Sequence, residues 1–132
     1  MLKYMLDTNI CIYTLKNRPE QVRQAFKKHQ DQLCISVITL MELCLGVEKS
    51  QRPVENRAVL NGFISRLNVL SFDQSAATHA GEIIADLSRV GRPIGAYDSQ
   101  IAGHARSRGL VVVTNNQREF DRVPGLRSEN WV

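Results

Sequence analysis

Four short apolar runs separated by helix-length segments constrain this 132-residue chain more than any other feature. They are Met1–Leu6, interrupted only by Lys3, then 32–36 (QLCIS), 67–72 and 110–113, the last reading Leu-Val-Val-Val. Each is strand-length, and the last is dominated by β-branched residues. Between them lie segments with apolar residues at helical spacing. Hairpin signals are absent, so successive strands connect through helices. A strand that returns to its own sheet through a helix runs parallel to its predecessor. The expectation is an α/β fold, with one central, mostly parallel sheet of four to five strands flanked by helices. The tail 126–132 is the candidate fifth strand.

A chain of this length makes one domain, 1–132, with enough volume for a core that needs no staples. Cys11, Cys34 and Cys44 are odd in number, lack CxxC spacing and each has apolar neighbours. They read as three buried free thiols, and the three histidines add no zinc pattern. No run reaches membrane-spanning length, and the apolar N-terminal stretch is short for a signal peptide, so a cytoplasmic protein without membrane contact is expected. Seventeen Lys and Arg against thirteen Asp and Glu give a net charge of +4, which is compatible with a polyanionic partner.

Several helix boundaries can be read in advance. Pro19 fits the first position of a helix, with Glu20 in its first turn. Asp73 fits the N-cap of a helix over 74–90 that Gly91 closes. A helix over 39–50 is apolar nearly all round, which predicts burial. Glu42 stands inside that apolar run, where an unpaired carboxylate costs several kcal/mol. Thr39 and Glu42 also match a capping box, which would account for the acid without any function. Asp98, before a helix over 99–108, likewise fits an N-cap.

The acids share one grammar, however. Asp7 ends the first strand, Glu42 lies near the start of the helix after the second, and Asp98 follows a Gly/Pro-rich loop. Glu119 comes shortly after Thr114-Asn115-Asn116, which ends the fourth strand. In a parallel sheet the strand ends share one edge, so these groups can converge. Clustered carboxylates suit oxygen-ligated Mg²⁺ or Mn²⁺ and the hydrolysis of phosphodiesters. Without a cation they repel, raising at least one pKa.

The segments MLDTNIC, MEL with Glu42, YDSQIAGHA with Asp98, and VVVTNNQREF together resemble the PIN-domain ribonucleases, specifically the VapC toxins of bacterial type II toxin–antitoxin systems. The resemblance covers essentially the whole chain and implies an acidic core of Asp7, Glu42 and Asp98, with Asp7 and Asp98 as direct Mg²⁺ ligands and Mn²⁺ as a substitute. The family's fourth acid is replaced here by Asn116, and Glu119 is expected to supply the missing charge. Thr8, Asn9, Thr114 and Asn116 are expected to orient the carboxylates. The resemblance further implies a homodimer and a VapB antitoxin whose C-terminal segment plugs the active site. Promoter DNA would be contacted only through the antitoxin complex. The substrate implied is RNA, with initiator tRNA cut in its anticodon loop as the leading candidate. Arg52, Arg57, Arg92, Arg106, Arg108, Arg118 and Arg122 are candidate phosphate contacts, of which a minority is expected to act.

Two other readings compete. A PIN-fold RNA-binding module without catalysis is favoured only by Asn116. A phosphatase of the haloacid-dehalogenase type, with Asp7 as nucleophile, needs an acid two residues later, and Asn9 cannot serve.

Overall fold

The computed structural model describes residues 1–17 and 19–132. Its five strands are β1 (Tyr4–Leu6), β2 (Leu33–Ser36), β3 (Asn68–Leu70), β4 (Val111–Val113) and β5 (Ser128–Glu129). They form one sheet in the order β3-β2-β1-β4-β5, and every pairing is parallel. The helices are α1 (Thr8–Asn17), α2 (Glu20–Lys28), α3 (Val37–Glu48), α4 (Pro53–Ile64), α5 (Gln74–Arg89), α6 (Ala96–Ser107) and α7 (Gln117–Phe120), with a 3₁₀ turn at Gln30–Gln32. The expected α/β sheet is present, and the tail does add the edge strand β5.

The central strands are buried on both faces because helices cover both. Strand alternation divides the core in two. Tyr4, Leu6, Leu33, Ile35, Val111 and Val113 face α1, α3 and α4, where Ile10, Leu43, Val47 and Leu60 pack. Met5, Cys34 and Val112 face the other way, onto Ile83 and Leu87 of α5, Ile101, Ala102 and Ala105 of α6, and Phe120.

Helix α6 lies unusually close to α5. A Cβ at Gly103 would come within 2.5 Å of the Ala80 nitrogen and 2.6 Å of its Cα. Only glycine allows that approach, and the approach fixes the helix that carries Asp98. Asp73 caps α5 as expected, its Oδ1 accepting from the Ala76 N–H at 3.0 Å. Gly91 stands beyond the helix end at φ 68°, a conformation that disfavours side chains.

Some boundaries differ from expectation. Pro19 is the N-cap of α2 rather than its first residue. Helix α3 starts at Val37 with Ser36 as N-cap, whose Oγ accepts from the Ile38 N–H at 3.1 Å. Ser36 closes a strand and opens a helix at once, leaving no room for a loop before Thr39. Thr39 therefore lies inside the helix, and the capping box with Glu42 does not form. Helix α6 likewise starts at Ala96 with Gly95 as N-cap, which places Asp98 in the first turn rather than at the cap. Helix α3 is also less buried than its composition implies: Met41 is 44% and Leu45 48% exposed. Cys44 on the same side is exposed too, so two of the three thiols are buried, not all three.

Candidate active site

The strand order reverses at β1, whose neighbours are β2 on one side and β4 on the other. The crevice at the carboxyl ends of two such strands is where open α/β sheets bind ligands. Asp7 and Thr114 are the residues directly after β1 and β4, and both are fully buried. The Thr114 hydroxyl donates to Asp7 Oδ2 at 2.6 Å, and the Ile10 N–H donates to Asp7 Oδ1 at 2.8 Å. The Asp7 N–H itself donates to the Val113 carbonyl at 3.0 Å. Asp7 is thus held by the strand behind it and by the first turn of α1. Burial nevertheless outweighs these hydrogen bonds and, with the Glu42 charge adding to it, pushes the Asp7 pKa up to about 6.

Glu42 is reached from α1. The Thr8 hydroxyl donates to Glu42 Oε1 at 2.7 Å and lies 3.2 Å from the Thr39 hydroxyl. A hydroxyl carries a single proton, so Thr39 donates to Thr8 and Thr8 to Glu42. Thr39 was legible in the sequence only as a cap; its hydroxyl instead belongs to this chain of hydrogen bonds.

Asp98 projects from the first turn of α6, with Glu119 of α7 close enough to act on it. Burial, then the charges of Asp7, Glu119 and Glu42, raise the Asp98 pKa to about 6. Asp98 therefore feels the other three acids expected from the sequence. Asn116 stands at the start of α7, and its backbone N–H donates to Thr114 Oγ1 at 2.8 Å. Its contribution is a main-chain contact that fixes the hydroxyl holding Asp7. Asn9 differs from expectation in that its side chain is exposed and makes no hydrogen bond to any of the four acids.

Thr8, Asn9, Glu42, Gly95, Tyr97 and Asp98 line an open cleft of about 240 Å³. Among the described residues, no three of His, Cys, Asp and Glu are gathered tightly enough to cage a metal ion. Mg²⁺ does not require such a cage, since it keeps several waters and takes one or two carboxylates. The donor set fits it. Each Asp7 oxygen accepts one hydrogen bond, which leaves about half of the ~4 lone-pair positions of the carboxylate free. The Glu119 charge beside Asp98 adds to the negative field that a cation there would relieve.

The arginines divide. Arg106 is a structural strut, its Nε donating to His79 Nδ1 at 2.8 Å and its Nη1 to the Pro124 carbonyl at 2.9 Å. Arg122 donates to the Pro93 carbonyl, while Arg52 and Arg57 pair with Glu55 and Glu48. Arg92, Arg108 and Arg118 are exposed and form none of the ion pairs found among the described residues.

Two residues near the site lie within the YDSQIAGHA segment, but nothing in the sequence assigned either of them a role. His104 of α6 is buried, with Nδ1 2.8 Å from Ser36 Oγ, so it ties the helix of Asp98 to the cap of the helix of Glu42. Tyr97 stands half-exposed at the cleft.

A PIN-domain family model matches residues 4–126 of the chain. The tRNA(fMet)-specific endonuclease VapC of Shigella flexneri is 62% identical over 131 residues, 99% of each chain. Ribonuclease VapC2 of Haemophilus influenzae is 52% identical over the whole of both. Among solved structures, DNA-bound VapBC of Salmonella typhimurium contains a chain of TM-score 0.98 and 61% identity, with full coverage of both chains. VapBC2 of Rickettsia felis, bound to a promoter DNA fragment, matches with TM-score 0.95 and 37% identity over 99% of this chain.

Proposed function

The chain belongs to the PIN-domain family, and from that premise we propose that it is a metal-dependent endoribonuclease, the toxin half of a VapBC-type toxin–antitoxin pair. The observation that carries the reading is the convergence of Asp7, Glu42, Asp98 and Glu119 from four separate elements at the switch point of the sheet. Holding them there without a counter-charge is costly: burial first, and the neighbouring carboxylates second, raise the pKa of both aspartates. A module that merely bound RNA would gain nothing from that cost.

Asp7 and Asp98 are assigned to hold Mg²⁺, with Mn²⁺ as a substitute. The ion, when bound, supplies water of lowered pKa and neutralises charge on the phosphoryl oxygens. The protein supplies the positioning. Thr114 and the Ile10 amide fix both oxygens of Asp7. Thr8 fixes Glu42 through Oε1, which leaves Oε2 to take a proton from the attacking water. The cleft is shallow and open, which suits a phosphodiester in an unpaired loop better than a duplex. The substrate proposed is initiator tRNA, in keeping with the Shigella and Salmonella relatives, which are named tRNA(fMet)-specific endonucleases, and the proposed cut lies in its anticodon loop.

The exposed Met41, Cys44 and Leu45 of α3, with Val54 and Val59 of α4, form the kind of apolar surface that partner chains cover. Such a surface supports assembly with an antitoxin and with a second copy. No helix among the described residues is long and apolar enough to cross a membrane.

The test is cleavage of purified initiator tRNA by the isolated protein, with Mg²⁺ and with EDTA, beside Asp98→Ala. Cleavage that needs the metal and disappears in the folded variant is the expected result. Normal cutting by Asp98→Ala, or cutting in EDTA, would overturn the assignment.

A further inference from the structure

The acidic cleft poses a problem for its own substrate. Among the described residues, its charged lining consists of Glu42 and Asp98, with Asp7 and Glu119 beside them, and no Lys or Arg lines it. The net charge of +4 is carried elsewhere, and several of the arginines that carry it are held in ion pairs or by backbone carbonyls. Without the metal, none of the charged side chains lining the cleft can hold a nucleotide by its phosphate. What remains is base contact, and an unpaired base is recognised chiefly by stacking on an aromatic face.

Tyr97 is the only aromatic residue lining the cleft. It precedes Asp98 in the first turn of α6, so the fixed seat of that helix on α5 fixes it as well. It is 44% exposed, whereas the other Phe, Tyr and Trp rings are buried or half-buried. Tyr4, Phe26, Phe63, His29 and Trp131 pack together, and Phe72 stands edge-on to His104. Tyr97 belongs to none of these pairings. Packing does not explain its place, and neither does the handling of the metal or of the attacking water.

We infer that the Tyr97 ring is the stacking platform for an unpaired nucleobase next to the scissile phosphate. The inference rests on the ribonuclease reading above and adds a residue that binds the substrate. Stacking tolerates any base, so Tyr97 holds a loop nucleotide in place without selecting its identity. Its role is to hold the phosphate over the carboxylates.

The probe is a short RNA hairpin with a seven-nucleotide loop, carrying 2-aminopurine at each loop position in turn. Binding is followed in EDTA and again in Ca²⁺, and cleavage separately in Mg²⁺. Wild-type protein should quench the fluorescence at one or two loop positions. Tyr97→Ala should abolish that quenching and weaken binding by ~5- to ~150-fold, the equivalent of about 1–3 kcal/mol per stacked base. The loss should appear in KM more than in kcat. Tyr97→Phe should keep both the quenching and the affinity, since the ring and not the hydroxyl acts; Tyr97→Leu should restore neither. Unchanged quenching or KM in Tyr97→Ala, or a Tyr97→Phe as impaired as Tyr97→Ala, would overturn the inference. So would a wild-type protein that leaves every loop position unquenched. If the wild type stacks the base but cuts no RNA with Mg²⁺ or Mn²⁺, the ribonuclease reading fails and the stacking role stands. If it cuts while Tyr97→Ala matches it, the stacking role alone fails.

Discussion

Replacing Asp7 by Asn should make the metal-free protein more stable at neutral pH. Asp7 is fully buried and its pKa is raised from 3.8 to about 6. A carboxyl whose folded pKa lies above its unfolded one stabilises the fold while protonated. That contribution is present in full below about pH 4 and is lost as pH rises through about 6. At pH 7.5 the buried charge thus costs about 3 kcal/mol, from a shift of roughly 2 pKa units at 1.36 kcal/mol each. Asparagine has the same shape and no charge. Its carbonyl can still accept from the Ile10 N–H. Its amide, however, meets a Thr114 hydroxyl that already accepts from the Asn116 N–H and that now loses its own acceptor. That mismatch costs about 1 kcal/mol. The net gain is about 2 kcal/mol, a rise in Tm of roughly 5–10 °C for a chain of this size. Thermal unfolding followed by circular dichroism in EDTA, at pH 7.5 and at pH 4, is the assay. The gain should be present at pH 7.5 and absent at pH 4, where wild-type Asp7 is itself protonated. A variant that is less stable than wild type at pH 7.5, or equally shifted at both pH values, would refute the claim that the Asp7 charge strains the fold.

Thr8→Val removes the hydroxyl that links Thr39 to Glu42 Oε1, so RNA cleavage should fall ~10-fold or more while stability drops by about 1–2 kcal/mol, measured by kcat and by urea unfolding. Gly103→Ala drives a methyl into the Ala80 backbone and should destabilise by about 1–3 kcal/mol, with lowered metal affinity as the Asp98 helix is displaced; urea unfolding and Mn²⁺ titration check it. Glu119→Gln removes one charge that raises the Asp98 pKa, so that pKa, read from ¹³C chemical shifts in EDTA, should fall below about 6.

The sequence disclosed the fold because apolar runs and helical periodicity are local properties, and a parallel sheet is what such an alternation can bury. The acids were legible for the same reason: Asp7 and the residues after β4 mark strand ends. Their partners were less so. Thr39 and Glu42 satisfied a local capping rule, but Ser36 already held the cap, and the Thr39 hydroxyl answers to Thr8, 31 residues away. No local pattern carries that pairing. The exposure of Met41, Cys44 and Leu45 was hidden because composition does not separate a core face from a face kept for another chain. Asn9 neighbours Asp7 in sequence, yet it stands exposed at the cleft while Thr114, 107 residues away, makes the hydrogen bond to Asp7. No role for His104 was legible because its partner, Ser36, lies 68 residues away.

Central to the proposed chemistry is a divalent ion that Asp7 and Asp98 hold together at the end of β1. Anomalous diffraction from crystals soaked in Mn²⁺ tests this placement most directly. The prediction is a peak contacted by carboxylate oxygens of both residues in the wild type and lost in Asp98→Asn. A peak elsewhere on the molecule, or one that persists unchanged in Asp98→Asn, would contradict it.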